Sequence, residues 1–189
     1  MKINCKNRNI VIINEELFIK IIDLEEKEIN KEINKFIIES FGEDKDYLFH
    51  TIISKDRKRA LIYVIKAGNR VDKLCKGAKN IKVIPVQFII KDKLKKIIKE
   101  TKWVAIIYIF KKYYILDYNG NFIINSYIED NIYNINKQVL KLDKEKPIYI
   151  SKNINMKELS KDNKYLIIKE EVNESDIFNK KFLTLWIFY

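Results

Sequence analysis

The feature that most constrains the fold is an almost continuous apolar stretch, Trp103 to Phe110, which contains no charged residue. β-Branched and aromatic residues dominate it, as is typical of a strand buried on both faces of a sheet. Two further β-rich segments follow, Tyr113 to Tyr118 and Asn121 to Ile128. Asn119-Gly120 separates them, and Asn-Gly between apolar segments is a strong hairpin signal because both residues tolerate positive φ. The sequence therefore predicts a three-stranded antiparallel meander here.

The amino-terminal part shows a similar order of short segments. Three β-rich segments are separated by short polar breaks, so we expect a first meander. They are Lys2 to Lys6, Ile10 to Asn14 and Leu17 to Leu24. Glu25 to Phe41 follows with apolar residues three or four positions apart, which indicates an amphipathic helix ended by Gly42. The same reasoning predicts strands over 46–54, 59–67, 81–84, 147–151 and 165–169, and helices over 68–76, 86–100, 130–142 and 155–160.

A βββαβα order is that of the ribonuclease H-like unit, and two such units in tandem form the actin-like architecture. We therefore predict an α/β fold, a duplicated ribonuclease H-like (actin-like) fold with two mixed sheets, each led by a three-stranded antiparallel meander, and flanking helices. Residues 1–100 would form the first half, and residues 101–189 the second half with an apolar C-terminal tail.

One part of the chain resembles a known family. The resemblance is to the PilM and GspL-type proteins, which are actin-like cytoplasmic proteins of type IV pilus and type II secretion platforms. Three parts of the chain resemble the core of these proteins: the elements of Ala60 to Glu100, the meander of Trp103 to Ile128 and the strand Pro147 to Ser151. The resemblance implies a cytoplasmic scaffold at the inner face of the cell membrane.

Net charge suggests a different partner. The formal charge of +11 and the pI near 9.4 are typical of nucleic-acid-binding proteins. However, the chain has 33 lysines and only four arginines, although arginine is preferred for base edges and phosphates. The lysines are also spread along the chain among acids, so we interpret them mainly as solvated faces. A basic nucleic-acid-binding protein of mobile-element origin is the alternative function, and weak attraction to an anionic membrane is left open.

Candidate catalytic residues do not assemble into a site. His50 is the only histidine, and Cys5 and Cys75 have no CxxC spacing, which favours reduced thiols in a cytosolic protein. Neither Lys2 to Lys6 nor Trp103 to Phe110 contains the carboxylates that a two-metal nuclease needs on its first strand. The sequence therefore predicts no catalytic residue and no metal site.

The resemblance also implies where a nucleotide would bind. In nucleotide-binding members, glycine in the meander turns lets backbone N–H groups approach the phosphates. Here these turns are Lys6-Asn7-Arg8-Asn9 and Phe110-Lys111-Lys112, without glycine or aspartate, and the later strand end is Ile150-Ser151-Lys152-Asn153. We therefore predict a degenerate nucleotide site, no cofactor and no enzymatic activity, with ATP binding by unorthodox loops as the alternative.

The segment Phe182 to Tyr189 has seven apolar residues out of eight and follows two lysines. It is shorter than the ~20 residues that span a bilayer. One interpretation is a last strand or helix packed into the core. The other is a docking segment for a membrane or a membrane protein, whose predicted residues are Lys180, Lys181, Phe182, Leu185, Trp186, Phe188 and Tyr189.

The resemblance and the missing catalytic groups predict a non-enzymatic scaffold or adaptor. Its expected partners are the assembly (traffic) ATPase and inner-membrane platform proteins, bound through exposed strand edges and the cleft between the halves. Peripheral membrane association and a homodimer are left open, and a specific nucleic acid is not expected.

Overall fold

The computed structural model describes residues 7–25, 28–177 and 183–187. The strands are β1 (Asn7–Ile12), β2 (Phe18–Asp23), β3 (Tyr47–Ile53), β4 (Arg59–Lys66), β5 (Asn80–Pro85), β6 (Lys102–Ile109), β7 (Lys112–Asn119), β8 (Phe122–Glu129), β9 (Ile148–Ile150), β10 (Tyr165–Ile167) and β11 (Leu183–Ile187). The helices are α1 (Ile29–Phe41), α2 (Gly68–Cys75), α3 (Val86–Ile97), α4 (Ile132–Val139) and the single turn α5 (Glu174–Ile177), with a 3₁₀ turn at Met156–Glu158. The predicted α/β class is confirmed.

The second predicted meander is confirmed. β6, β7 and β8 pair antiparallel within a five-stranded sheet of order β10-β9-β6-β7-β8. Residues 103 to 107 of β6 are all 0% exposed, because core clusters cover both faces of this strand. The β7–β8 loop lies one residue later than expected, and only Gly120 has positive φ (69°) while Asn119 ends β7.

The first predicted meander is wrong. β1 pairs in parallel with β5 and β11, whereas β2 pairs antiparallel with β4 in another sheet. The described strands thus form three sheets: the five-stranded sheet, a parallel sheet of order β11-β1-β5 and an antiparallel sheet of order β2-β4-β3. The physical reason is burial: Ile10 to Ile13 are at most 2% exposed, and a strand covered on both faces suits a parallel sheet. Residues Lys2 to Lys6 lie outside the described part of the chain.

Helix α1 covers one face of the antiparallel sheet. Its buried residues Ile29 and Ile33 pack in a cluster with Ala60, Ile62 and Val64 of β4. The predicted stop is confirmed, since Gly42 has φ of 66° and its N–H donates to the Ile38 carbonyl at 2.8 Å. The alternate residues of β4 face the other way, toward the main core.

The main core joins all three sheets. Its largest cluster contains Ile10 to Ile12 of β1, Tyr63 of β4, Leu94 of α3, Trp103 of β6 and Tyr114 of β7. Residues from both sequence halves therefore share one apolar cluster. The predicted division at residue 100 stays a prediction.

A buried ion pair lies in the five-stranded sheet. Lys146 Nζ is 2.6 Å from Asp117 Oδ1, and the two side chains are 6% and 2% exposed. Asn125 Nδ2 donates to the other carboxylate oxygen at 3.1 Å. Asp117 sits beside a register shift between β7 and β8, and such bulges redirect side chains. An aspartate isolated in the sequence thus has its counter-ion 29 residues away.

Candidate functional site

A cleft of about 490 Å³ opens between the antiparallel sheet and α3. Most of its lining side chains are apolar, with a few polar groups among them, as is typical of binding sites. The lining residues are Leu17, Leu48, Phe49, His50, Ile52, Tyr63, Ile65, Val83, Pro85, Phe88, Lys91, Asp92, Asn121 and Phe122.

Aromatic rings from three elements meet in this cleft. Phe88 of α3 contacts Tyr63 of β4 edge to face at 4.9 Å, and His50 of β3 stacks on Tyr63 at 6.1 Å with an interplanar angle of 17°. The Tyr63 hydroxyl donates to the Ile123 carbonyl at 3.0 Å, and burial raises the pKa of Tyr63 well above its usual range. Tyr63 is therefore a neutral, anchored donor, and the rings form a rigid apolar wall.

The predicted strand over residues 46–54 contains His50, the only histidine of the sequence. The structure places it in β3 as predicted, but on the face of the strand that lines the cleft. Lys91 also lines the cleft, where its Nζ lies 5.6 Å from the centre of the Phe88 ring and 2.8 Å from Asp92 Oδ1. The cleft thus combines an apolar wall with a histidine and a lysine–aspartate pair.

Strand β3 has an open edge beside the cleft. In the order β2-β4-β3, no strand of the described residues pairs with the outer side of β3. The Ser54 N–H donates to the Arg59 carbonyl and the Ala67 N–H to the Asp46 carbonyl, both at 2.9 Å, at the two ends of the β3–β4 ladder.

Those two bonds determine which backbone groups of β3 point outward. In an antiparallel ladder, residues that bond to the partner strand alternate with residues that do not. Even-numbered residues of β3 therefore bond to β4. The N–H and C=O groups that point to the open edge are those of Phe49, Thr51 and Ile53, because the Tyr47 N–H donates to the Asp44 carbonyl at 3.2 Å.

The cleft reaches around this open edge. Leu48, His50 and Ile52 line it from the face that they share with Tyr63, as the β3–β4 register shows. Phe49 lines the same cleft from the opposite face of β3. A segment lying along the edge would therefore meet the backbone of β3 and the apolar wall together.

One predicted phosphate turn is wrong. Asn7, Arg8 and Asn9 lie inside β1, and Lys6 lies outside the described residues. The chain turns only after β1, in a loop that includes Glu15 and Glu16. Because β1 runs on as a buried parallel strand, the turn cannot occur where the polar residues suggested it.

The loop after β1 carries two glutamates, and one of them is paired with an arginine. Arg70 Nη2 lies 2.8 Å from Glu15 Oε1, and Gln87 Nε2 donates to the Glu15 carbonyl at 2.8 Å. Burial, followed by the nearby carboxylates of Glu129 and Glu15, raises the pKa of Glu16. Because Arg70 compensates the charge of Glu15, the carboxylate here that opposes the approach of a phosphate is that of Glu16 when it is ionised.

The other two segments implied for a nucleotide lie at the β6–β7 turn and at the end of β9. Phe110 and Lys111 form the β6–β7 turn with φ of 53° and 59°, so a turn without glycine is confirmed there. At the end of β9, the Tyr108 N–H donates to Ser151 Oγ at 3.1 Å, and the Ser151 hydroxyl donates to Asn153 Oδ1 at 2.6 Å. The polar groups of this strand end are thus bonded to each other and to β6.

Other predicted site features have these positions. Cys75 is half-buried, and burial raises the pKa of its thiol, while Cys5 lies outside the described residues. Within the described ranges, no group of three or more His, Cys, Asp or Glu side chains could hold a metal ion. No helix in those ranges is long and apolar enough to cross a membrane.

The predicted docking residues fall at the carboxyl end of the chain. Leu185 and Trp186 lie in β11, whose backbone pairs with β1 opposite Ile10 and Val11. The other five predicted docking residues lie outside the described part of the chain: Lys180, Lys181, Phe182, Phe188 and Tyr189. Their docking role stays a prediction.

Comparison with known proteins gives the following. No protein-family model matches the chain, and no curated protein matches its sequence. A Bacteroides thetaiotaomicron protein with an actin-like ATPase fold and unknown function aligns with 13% identity and a TM-score of 0.47, over 79% of this chain and 61% of that protein. The cytoplasmic domain of EpsL, an inner membrane component of the type II secretion system of Vibrio cholerae, aligns with 10% identity and a TM-score of 0.47, over 84% of this chain and 64% of that domain. This chain spans less than two thirds of either neighbour.

Proposed function

We propose that this protein is a non-enzymatic adaptor that binds an extended segment of a partner protein along β3. The observation that carries the proposal is the open edge of β3 beside the aromatic cleft. In recognition by strand addition, main-chain hydrogen bonds provide affinity, and pockets for alternate side chains provide specificity. Both are available here on one strand.

The geometry indicates what the segment would look like. Its backbone would bond to the outward groups of Phe49, Thr51 and Ile53. Side chains two residues apart along a strand are about 6.6 Å apart, so every second side chain of the segment would lie beside Leu48, His50 or Ile52 and enter the cleft. An extended segment with apolar residues at alternate positions fits this site.

The sequence resemblance to PilM and GspL-type proteins supports the setting that we propose. The adaptor would link a traffic ATPase to platform proteins of a type IV pilus or type II secretion system, at the cytoplasmic face of the inner membrane. The carboxylate of Glu16 and the turn without glycine at Phe110 and Lys111 support a role without nucleotide chemistry. Two of the four arginines are engaged within the protein, Arg8 with backbone carbonyls and Arg70 with Glu15, which does not favour the nucleic-acid alternative.

The first test changes the backbone of the edge. In Thr51→Pro, the lost N–H points away from β4, so an edge strand can accept the proline and the fold should be retained. Tagged wild type, Thr51→Pro and the matched control Thr51→Val would be recovered from the organism of origin, and bound proteins identified by mass spectrometry. We expect a traffic ATPase or platform protein with wild type and Thr51→Val, and its loss with Thr51→Pro.

A second test needs no change to the ladder. A photo-cross-linking phenylalanine analogue at position 49 should cross-link the same partner, whereas the analogue at Leu140, which is 57% exposed, should not. The proposal is wrong if a folded Thr51→Pro still recovers the partner, or if both positions cross-link equally. It is also wrong if the partner bound at β3 belongs to neither assembly.

A further inference from the structure

Opposite charges border the two ends of strand β3. The loop before β3 contains three acids and one lysine, and the hairpin turn after it contains four cations and one acid. The acids before β3 are Glu43, Asp44 and Asp46, and the cations after it are Lys55, Arg57, Lys58 and Arg59. We name the turn of residues 55–59 the hairpin tip. A segment lying along the open edge of β3 would therefore meet acids at one end and cations at the other.

The hairpin tip holds its cations close together. The Ser54 N–H donates to the Arg59 carbonyl and the Arg57 N–H to the Ser54 carbonyl, both at 2.9 Å, so the tip is one compact turn. Its only acid, Asp56, accepts bonds from the Ser54 hydroxyl at 2.5 Å and from the Lys58 N–H at 3.1 Å. All residues of the tip are exposed, and no cation of the tip forms an ion pair within the part of the chain that the structure describes.

Acids from other elements border the tip on its far side. Asp23 ends β2 and lies opposite Arg59 in the β2–β4 register, and Glu25 follows two residues later. Because β2 pairs with the side of β4 that faces away from β3, these two acids lie away from the open edge. Glu28 lines a surface hollow beside the tip, but its carboxylate forms an ion pair with Lys31 at 2.7 Å. The side of the tip next to β3 therefore keeps an excess of positive charge.

A second, smaller cavity connects the aromatic cleft with the hairpin tip. It has a volume of about 240 Å³, shares Ile52 and Phe122 with the cleft, and is lined by Arg59. Arg59 and Tyr63 are four positions apart on β4, so their side chains lie on the same face of the sheet, the face that lines the cleft. A segment whose side chains enter the cleft beside β3 therefore reaches the Arg59 guanidinium at the end of the strand.

We propose that the partner segment carries acidic residues at the end that lies beside the hairpin tip. This inference rests on the proposed function, because the acids belong to the same segment that adds to β3. The guanidinium groups of Arg57 and Arg59 can each form two parallel hydrogen bonds with a carboxylate. Acids at the other end of the segment would instead be repelled by Glu43 and Asp44. The charges therefore select the direction of the segment as well as its composition.

Two observations favour the carboxylates of a peptide over the phosphates of a nucleic acid. The side chains beside the tip include exposed apolar ones, Ile21 in the smaller cavity and Ile53 at the end of β3, which are 57% and 39% exposed. The acids before β3 would also repel a phosphate backbone that continued along the edge. An apolar segment with acids at one end suits both features.

The test measures binding of three synthetic peptides to the full chain by fluorescence anisotropy at low salt. All three have the same alternating valines and serines and blocked ends. One carries two glutamates at its amino end, one carries them at its carboxyl end, and the third carries glutamines at both ends. One glutamate peptide should bind roughly tenfold more tightly than the glutamine peptide and should lose this advantage at high salt. The other should bind no more tightly than the glutamine peptide.

The tip variant should abolish this preference; it is Lys55→Gln, Arg57→Gln and Arg59→Gln. The matched control should keep the preference within about threefold; it changes three exposed lysines, Lys152→Gln, Lys157→Gln and Lys161→Gln. Lys152 follows Ser151, which bonds to Tyr108 near the end of β6. Asn119, which lines the cavity of Arg59, pairs with the start of β6, so Lys152 lies toward the opposite end of the sheet.

The inference is overturned if neither glutamate peptide binds more tightly than the glutamine peptide. It is also overturned if both do so equally, because net charge alone would then explain the effect, or if the tip variant keeps the preference. Thr51→Pro tests strand addition separately. If Thr51→Pro loses all three peptides while wild type shows no preference among them, the proposed function is supported and the acidic end is refuted.

Two other occupants would overturn the inference and can be recognised in the same experiments. Tighter binding of a DNA duplex than of the preferred peptide at the same salt, lost in the tip variant, would identify a nucleic-acid surface. Self-association of wild type that Thr51→Pro abolishes would identify a second copy of this chain on the edge of β3.

Discussion

Replacing Lys146 with methionine should strongly destabilise the protein, because it leaves the Asp117 carboxylate buried without its counter-ion. The two charged groups are 2.6 Å apart, and their side chains are 6% and 2% exposed. The other bond to this carboxylate comes from the neutral Asn125 amide at 3.1 Å, which cannot balance the charge. Methionine has a similar length to lysine, so the change removes the charge with little change in packing.

The expected cost follows from this burial. Removing one partner of a buried pair costs about 3–5 kcal/mol, a large share of the 5–15 kcal/mol that is typical of the free energy of unfolding. For a protein of this size, about 2–4 °C per kcal/mol converts the cost into a fall in Tm of roughly 6–20 °C. Adding Asp117→Asn to Lys146→Met removes the second charge. The double variant should therefore recover most of the loss, with a coupling energy of at least about 2 kcal/mol.

Urea unfolding followed by circular dichroism and tryptophan fluorescence would measure these values. Trp103 stacks on Tyr118 at 4.7 Å, immediately next to Asp117, so its emission reports on this part of the core. The matched control is Lys144→Met at an exposed position, which should change the free energy of unfolding by no more than about 0.5 kcal/mol. Our reasoning is refuted if Lys146→Met costs less than about 1 kcal/mol, or if the double variant is no more stable than the single one.

Two further changes test local features. Lys111→Gly should raise the free energy of unfolding in urea by about 0.5–1 kcal/mol, because φ of 59° at exposed Lys111 suits glycine better than lysine, even after the greater chain entropy of glycine is counted. The control Lys112→Gly, within β7, should instead destabilise the protein. A Lys111→Gly variant less stable than wild type would contradict this reasoning. Glu16→Gln should stabilise the protein more at neutral pH than below pH 4.5, the ordinary pKa of this group, because burial and then Glu129 raise the pKa of Glu16 in the folded state. Because the pKa of Glu16 is raised in the folded state, the contribution of Glu16 to folding stability is fully present at low pH and is lost as the pH rises through that pKa. If Glu16→Gln changes the free energy of unfolding equally at both pH values, the raised pKa of Glu16 is contradicted.

The sequence predicted those parts of the fold whose partners are neighbours in the chain. β6, β7 and β8 are joined by short turns, and Gly120 marks one of them, so their pairing could be inferred locally. β1 pairs with β5 and with β11, whose residues are about 70 and 175 positions away. No local signal in the sequence specifies such distant partners. One signal for the type of strand is present, because the unbroken apolar run Ile10 to Ile13 differs from the mixed pattern of β2 and is typical of a buried parallel strand.

The candidate site was less predictable. His50, Tyr63 and Phe88 come from β3, β4 and α3, and in the sequence each has the pattern of an ordinary strand or helix residue. Which backbone groups of β3 point outward depends on the register with β4, and a shift by one residue would exchange the two sets. Sequence reasoning proposed exposed strand edges in general, but only the three-dimensional pairing identifies the edge and the cleft beside it.

The pairing of β11 with β1 also has a consequence for how the chain is made. Residue 12 leaves the ribosome long before residue 187, and at about 5–20 residues per second the interval is roughly 9–35 s. During that time β1 lacks one of its two neighbours, and its apolar run has an unpaired edge. The nascent protein therefore passes through an extended aggregation-prone period, which makes it a candidate for chaperone protection during translation.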